Sequence, residues 1–322
     1  MLVPGYEHVP GNHCGSTALR NLLAFHGAEV TEEMAFGLGA GACFFYVALD
    51  GQSPSRFTNG RTAKLEESFL ELTGAPLRLR TDPDPDASWR LARDAVDSGR
   101  PALLLTDLYY LDHYGKSAHF PGHAVVIAGY DSDEALLSDT GFEELQTTKL
   151  ENLAMARHSK QPILQLDGHI VDLPEGAALD TGALREAVPA AVARAAKEMI
   201  EPALPDFQGL PALRKFADEV EAWPEAAADW QWCARFLFQV TERRGTGGGN
   251  FRAMYSRFLA EAGYDAEAPL ASEAAERWAA VAEAARSASE GDDADPGVWA
   301  KLGRRAESVL EVETALWESL AD

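Results

Sequence analysis

The residue composition and the spacing of apolar residues change near the middle of the chain, and this change constrains the fold more than any single motif. Residues 1–175 mix helical stretches with short β-like runs and glycine or proline, whereas residues 176–322 are rich in Ala, Glu and Arg at helical spacing. The pattern predicts the α+β class, with a mixed domain followed by an all-α domain. At about 150 residues per domain, 322 residues fit two domains. We expect the boundary within residues 160–178 and assign the domains to residues 1–170 and 171–322.

Composition excludes several classes of protein. Hydrophobic residues make up 46% and charged residues 25% of the chain, which excludes collagen-like, low-complexity and wholly disordered chains. The longest apolar runs, 42–49 and 124–128, are far shorter than the ~20 residues of a membrane span. Residues 1–8 contain neither a basic stretch nor a long apolar one, so we expect no signal peptide. Three widely spaced cysteines make a poor disulfide framework and predict a cytoplasmic location.

The net charge limits the partners that the chain can bind. With 28 basic and 51 acidic residues, the charge of −23 repels phosphate backbones, so we expect no nucleic acid and no membrane as partner. The same charge attracts cations such as polyamine-like or aminosugar substrates. A simpler interpretation, which we weight more heavily, is that the acidity keeps the protein soluble or suits a salty cytoplasm.

Cys14 has the setting of a nucleophile. It lies at the start of a predicted helix over residues 14–26, where unpaired backbone N–H groups and the helix dipole stabilise a thiolate. Cys43 and Cys233 lie among aromatic and aliphatic neighbours, which is typical of cysteines buried for packing. A cysteine nucleophile also needs a base, and the base needs an orienting group.

His123 and Asp139 are the candidates for those two roles. His123 opens a predicted strand over residues 123–130, and Asp139 follows the next predicted strand over residues 135–138. If these strands pair directly, both side chains share a face only when the connecting loop has an odd number of residues, barring a bulge. Taken alone, each residue has a structural alternative: His123 as a histidine of the core, and Asp139 as an aspartate of a turn. In the order Cys, His, Asp, a catalytic triad is the better interpretation.

Two glycine-rich segments and a group of histidines complete the candidates. Residues 37–41 follow a helix and precede a β-like run, which is the wrong context for a dinucleotide-binding turn. Residues 245–249 lead into a predicted helix and resemble a phosphate-contacting loop, although no Gly-Lys-Ser/Thr follows. The alternative for this loop is an interhelical connection with surface arginines. His113, His119 and His123 do not have the spacing of a zinc site, so we expect no metal.

The order and spacing of these residues resemble the papain-like superfamily, and most closely its leader-processing cysteine peptidases. The chain as a whole resembles the butirosin biosynthesis BtrH-like family, including that family's helical C-terminal domain. The segments that carry this resemblance are His13-Cys14, Thr17–Gly27, Phe36–Gly39, His119–His123, Gly129–Asp131 with Asp139, Glu144–Gln146 and Arg243–Leu259. They extend into both halves of the chain.

The resemblance implies acyl transfer rather than proteolysis. Cys14 would attack the thioester of an acyl group on an acyl carrier protein, His123 would pair with Cys14 and then deprotonate the acceptor amine, and Asp139 would orient His123. No cofactor is implied, because phosphopantetheine arrives on the carrier protein. Gly247, Gly248 and Arg252, from the second glycine-rich loop and the helix after it, are the candidates for contact with that arm.

The oxyanion hole is less completely specified. The backbone N–H of Cys14 is one expected donor. Papain-like enzymes usually add a glutamine about six residues upstream of the nucleophile, and here that position is His8. Asn12, His8 and His13 are the candidates for the second donor.

Three further functions remain open at this point. Two of them use the same triad: a peptidase or amidase, and an intramolecular acyl cyclase. The third is a non-catalytic module that binds a carrier protein or a peptide. An all-α domain that covers the cleft and excludes water would favour a transferase over a hydrolase. The oligomeric state is also open, with a homodimer as one option.

Overall fold

The computed structural model describes residues 2–49, 51–161, 164–291 and 294–321. The helices are α1 (Cys14–Phe25), α2 (Glu32–Leu38), α3 (Leu65–Thr73), α4 (Pro85–Asp97), α5 (Leu150–Arg157), α6 (Thr181–Glu186), α7 (Val188–Ile200), α8 (Gly209–Glu219), α9 (Trp223–Ala226), α10 (Trp230–Phe238), α11 (Arg252–Glu261), α12 (Glu267–Glu290) and α13 (Pro296–Ala321). The strands are β1 (Ala42–Ala48), β2 (Arg56–Arg61), β3 (Arg78–Arg80), β4 (Ala102–Asp107), β5 (Pro121–Tyr130), β6 (Glu134–Ser138), β7 (Gln146–Lys149) and β8 (Ile170–Asp172). The predicted α+β class is confirmed.

Two compact units divide the chain. The first unit comprises Met1–Ala35 and Ala63–Glu186, and the second comprises Phe36–Thr62 and Ala187–Asp322. This division differs from the sequence-based domains 1–170 and 171–322 in two ways. β8 pairs with β3 and β4, which keeps residues 171–186 in the first unit. The segment 36–62 belongs to the helical second unit, because its strands pack against helices far along the chain.

An antiparallel six-stranded sheet forms the centre of the first unit. Its strand order is β3-β8-β4-β5-β6-β7, and α1 and α4 both contact β5. The apolar residues Leu19, Leu22 and Leu23 of α1 are all fully buried. The central strands β4 and β5 are buried along most of their length, so the sheet is a rigid support for the residues at its strand ends.

The second unit is built from helices and one hairpin. β1 and β2 pair antiparallel, and α8 and α10 contact this hairpin. Arg252 and Glu313 form an ion pair whose side chains are both 0% exposed, with the Arg252 Nε 2.7 Å from a Glu313 oxygen. The Nη1 of Arg252 also donates to the carbonyl oxygens of Cys43 and Gly60, each at 2.8 Å, which ties the hairpin to α11 and α13.

Glu313 also accepts hydrogen bonds from two tryptophan side chains. The indole N–H groups of Trp278 and Trp317 donate to its carboxylate, each at 2.6 Å. A buried carboxylate needs several donors to offset its lost hydration, and here every donor comes from the second unit. Among the residues that the structure describes, no helix is both long enough and apolar enough to span a membrane.

Candidate functional site

Cys14 is the first residue of α1, as the sequence predicted. The preceding residue His13 caps the helix, since its ring Nδ1 accepts a hydrogen bond from the backbone N–H of Ser16 at 3.3 Å. Cys14 is partly exposed, whereas Cys43 and Cys233 are buried. Burial raises the pKa of the Cys43 thiol to about 12, so that residue is a packing thiol, as expected.

Glu32, at the start of α2, holds the loop before the nucleophile. Its carboxylate accepts from the backbone N–H groups of Asn12 at 2.9 Å and His13 at 2.7 Å, and from the Thr17 hydroxyl at 3.0 Å. A Cβ at Gly11 would lie 2.2 Å from the Thr17 hydroxyl oxygen, so this loop needs glycine there. Nothing local in the sequence links Glu32 to residues 12 and 13, so only the folded chain reveals this role.

His123 and Asp139 are in direct contact. The His123 Nε2 lies 2.9 Å from Asp139 Oδ1 and 3.1 Å from Oδ2, and the side chain of Cys14 is hydrogen-bonded to the same histidine. The structure therefore brings the three predicted residues together on the first unit. In this geometry the Nε2–H donates to the carboxylate.

A β-bulge places His123 and Asp139 on one side of the sheet. Tyr130 pairs with Ala135, and if that register continued Asp139 would lie opposite Val126, on the other side from His123. The register shifts between Ile127 and Gly129, so that Val126 pairs instead with Ser138. Asp139 then continues opposite Val125, two residues from His123 and on the same side. Four residues, an even number, separate the paired residues Tyr130 and Ala135, so the bulge and not the loop brings the two side chains to one side.

The electrostatics of the pair favour an imidazolium beside a carboxylate. Burial acts to lower the pKa of His123, but the charge and hydrogen bond of Asp139 and the contact with Cys14 outweigh it and raise the pKa to about 10. Burial acts to raise the pKa of Asp139, but the His123 charge and the hydrogen bond from His113 outweigh it and lower the pKa well below its ordinary value. Both side chains are held in their charged forms near neutral pH.

Two residues that sequence reasoning did not assign to the site also contact Asp139. His113 Nε2 lies 2.9 Å from Asp139 Oδ2, and the Tyr114 hydroxyl donates to Oδ1 at 3.3 Å. The Tyr114 ring packs edge-on against the His123 ring, with centroids 5.5 Å apart, and also against Phe142. These rings help to leave Asp139 0% exposed. His113 was noticed only as a metal-ligand candidate that the spacing disfavoured.

The candidates for the second oxyanion donor differ in their surroundings. Both ring nitrogens of His8 are engaged, one with the Ser138 hydroxyl at 2.7 Å and the other with the Phe142 carbonyl at 2.8 Å. His13 is buried and its Nδ1 serves as the helix cap. Neither arrangement supports a donor role. Asn12 is exposed, and one N–H of its side-chain amide donates to Glu32 at 3.2 Å, which leaves the second N–H to donate elsewhere.

Two backbone amides of the glycine-rich loop are already used within the protein. The N–H of Gly248 donates to the Thr246 hydroxyl at 3.0 Å, and the N–H of Gly249 donates to a Glu242 oxygen at 2.9 Å. Gly247, Gly248 and Gly249 all have positive φ, so glycine is needed for the turn itself. The structure therefore argues against Gly248 as a phosphate contact, and it leaves Gly247 as a prediction.

Arg252 is a structural residue of the second unit. Its side chain is completely buried and is committed to Glu313 and to backbone carbonyl oxygens. This environment argues against the expected contact with a substrate. The sequence could not show this, because Glu313 lies 61 residues further along the chain.

A cysteine at a helix N-terminus, beside a strand-borne histidine and an aspartate, defines this chain as an α+β protein with a thiol–imidazole–carboxylate cluster. Two family models match it: "Butirosin biosynthesis protein H, N-terminal" over residues 13–140 and "Domain of unknown function (DUF4872)" over residues 151–320. The chain belongs to the BtrH-like family, with this N-terminal domain followed by the DUF4872 domain. No curated protein matches the chain.

Proposed function

We propose that this protein is a cysteine-dependent N-acyltransferase of specialised metabolism. It moves an acyl group, of the aminoacyl kind, from an acyl carrier protein thioester to an amine. The observation that carries the proposal is the contact of Cys14, His123 and Asp139 at the start of α1 and the ends of two paired strands. The family name, which refers to the biosynthesis of butirosin, supports a role in antibiotic biosynthesis. We also propose a papain-like arrangement for the first unit.

The first half-reaction loads the enzyme. The Cys14 thiolate attacks the thioester carbonyl, and the tetrahedral intermediate then collapses with cleavage of the bond to the pantetheine sulfur. The leaving thiolate takes the proton of the His123 imidazolium. A thioester forms and a thioester breaks, so this step is close to thermoneutral and needs no strong acid.

The second half-reaction needs His123 as a base. The thiolate of Cys14 is one cause of the raised pKa of His123, and acylation removes that negative charge. The pKa of His123 therefore falls in the acyl-enzyme, which helps the ring to take a proton from the attacking amine. The amide bond forms, the Cys14 thiolate leaves, and the imidazolium–thiolate pair is restored.

Two N–H groups are suited to hold the oxyanion. The backbone N–H of Cys14 is at the first position of α1, at the positive end of the helix dipole. The Asn12 side chain is oriented by Glu32 through one N–H and presents the other. Removing one such donor in other acyl-transfer enzymes costs about 10²–10³ in rate, so Asn12→Ala has a measurable expected effect.

The substrates supply the rest of the chemistry. We propose no resident cofactor and no metal, because the carrier protein brings phosphopantetheine and the acceptor is a small-molecule amine. An amine carries a positive charge at neutral pH, which suits a protein with a net charge of −23.

Mass spectrometry of the protein with an acyl-pantetheine thioester tests the proposal. We expect an acyl adduct on Cys14 that amines clear at least tenfold faster than water does. Cys14→Ala should abolish the adduct, and Cys233→Ala, which changes a cysteine outside the cluster, should form it normally. Clearance by water alone would support a hydrolase, and release of a cyclised acyl product without an amine would support a cyclase. No adduct, with carrier binding retained in Cys14→Ala, would support a binding module.

A further inference from the structure

The short 3₁₀ turn Asp112–Tyr114 lies beside the carboxylate of Asp139. From this turn, the Nε2 of His113 approaches Asp139 Oδ2 at 2.9 Å, which equals the shorter distance from His123 Nε2 to Oδ1. The His113 side chain is 7% exposed, and that of Asp139 is 0% exposed. One buried carboxylate is therefore shared by two histidines, with His113 on Oδ2 and His123 closest to Oδ1.

The hydrogen-bond pattern assigns one tautomer to His113. Its Nδ1 lies 3.4 Å from the Thr148 hydroxyl oxygen, and that oxygen accepts a hydrogen bond from the backbone N–H of Asp112 at 3.3 Å. The hydroxyl hydrogen of Thr148 is then directed to Nδ1. Since Nδ1 accepts, Nε2 carries the ring hydrogen and donates it to Asp139. Every donor in this series of hydrogen bonds, from Asp112 through Thr148 to His113, points toward the Asp139 carboxylate.

The position of Asp139 in the chain explains why such support matters. Asp139 comes one residue after β6 ends at Ser138, so the ladder of the sheet does not itself fix the orientation of this side chain. A carboxylate held only by His123 can rotate about its side-chain bonds. A second donor on Oδ2 leaves Oδ1 directed at His123 and Tyr114.

We propose that His113 is a positioning residue, which holds Asp139 in the orientation that bonds His123, and that Thr148 fixes the tautomer in which it does so. The inference rests on the proposed function, because it assigns His113 a part in preparing the same cluster. His113 acts through Asp139 and not on the substrate.

The test uses the alkylation of Cys14 by iodoacetamide near pH 6, followed by peptide mass spectrometry. At this pH an ordinary thiol is mostly protonated, so the rate reports the thiolate that His123 stabilises. We expect His113→Phe, which fills the site without an N–H, to slow the alkylation at least tenfold. His113→Gln keeps a donor at similar reach and should stay within about threefold of the wild type. Thr148→Val should give an intermediate rate.

Controls separate positioning from loss of structure. His119 is bonded to a different carboxylate, that of Asp107, so His119→Phe should leave the rate unchanged. The buried thiols of Cys43 and Cys233 should stay unmodified in every variant. An NMR titration of His123 adds a second measurement: loss of positioning lowers its midpoint, whereas loss of a donor without movement makes Asp139 a stronger acceptor and raises it.

Several results would overturn the inference. One is a His113→Phe rate within twofold of the wild type, and another is a raised His123 midpoint. Equal loss in His113→Phe and His113→Gln, with Cys43 becoming reactive, would show a purely structural role. Alkylation needs no acyl donor, so this experiment can succeed even if acyl transfer fails, and the reverse also holds.

Discussion

Replacing Asp139 with asparagine changes the charge state of the cluster while keeping its shape. In the wild type the pKa of His123 is raised from 6.5 to about 10. The charge of Asp139 and its hydrogen bond each raise this pKa more than either effect of Cys14 does, and burial opposes them all. Asp139 is the largest cause that raises the pKa of His123, so removing its charge should lower that pKa markedly.

The assay is an NMR titration of histidine-labelled protein, with the His123 signal identified by its absence in His123→Gln. In the pH profile of the acyl-transfer rate, the midpoint on the alkaline side should shift to lower pH together with the His123 midpoint. Turnover near pH 8 should fall roughly 10²-fold. The asparagine side chain still offers an oxygen to His123, so we expect more residual turnover than in Cys14→Ala or His123→Ala. A His123 midpoint that stays above about 9 in Asp139→Asn would refute the reasoning.

The same substitution has a pH-dependent effect on stability. Because the folded pKa of His123 is raised, the stabilisation that it contributes is full below pH 6.5 and is lost as the pH rises through about 10. Because the folded pKa of Asp139 is lowered, its contribution is present above pH 3.8 and is lost as the pH falls. Asp139→Asn should therefore lower the free energy of unfolding by about 3 kcal/mol between about pH 4 and 6.5, and less outside that range.

Three further predictions concern residues that support the site or the second unit. Glu313→Ala leaves the buried guanidinium of Arg252 without its counter-charge, so chemical denaturation should show a loss of about 3–5 kcal/mol. Glu32→Ala removes the acceptor that holds the loop before the nucleophile, and the rate of acyl-enzyme formation should fall about tenfold or more while thermal unfolding changes less. Gly249→Ala places a Cβ 2.5 Å from the Ala275 backbone at a positive φ, so thermal unfolding should show a loss of about 2 kcal/mol or more.

Each of these has a contradictory outcome. Glu313→Ala with an unfolding free energy within about 1 kcal/mol of the wild type would mean that the buried guanidinium does not need its counter-charge. Wild-type acylation in Glu32→Ala would show that the loop is held by other contacts. An unchanged melting temperature in Gly249→Ala would mean that the loop can move away from α12.

Local sequence signals predicted the parts of the site that depend on local structure. The start of α1 at Cys14 follows from the residues around it, and β5 and β6 follow from their apolar runs and the turn between them. The side of the sheet that Asp139 occupies depends on a bulge between Ile127 and Gly129. Gly129 is compatible with a bulge but does not fix its position, and without the bulge the register would direct the carboxylate away from His123.

Long-range packing explains what sequence reasoning missed. Glu32 and His113 act on residues 15–26 positions away, through contacts that only the folded chain creates. Arg252 was predicted to contact the ligand on the family resemblance alone, and its partner Glu313 gives no local signal. The loop at 245–249 has the composition of a phosphate cradle, but the amides of Gly248 and Gly249 are used within the protein.

The hairpin of β1 and β2 bears on how this chain can be cut or recombined. It lies within the matched span 13–140, yet it belongs to the unit that the C-terminal helices complete, and the guanidinium of Arg252 caps its carbonyl oxygens. A fragment that ends near residue 150 would keep all the cluster residues. It would lack the C-terminal helices, however, and would therefore expose the apolar side of the β1–β2 hairpin. Gene fusions that exchange the C-terminal region should therefore exchange residues 36–62 as well, so that both segments of the second unit come from the same parent.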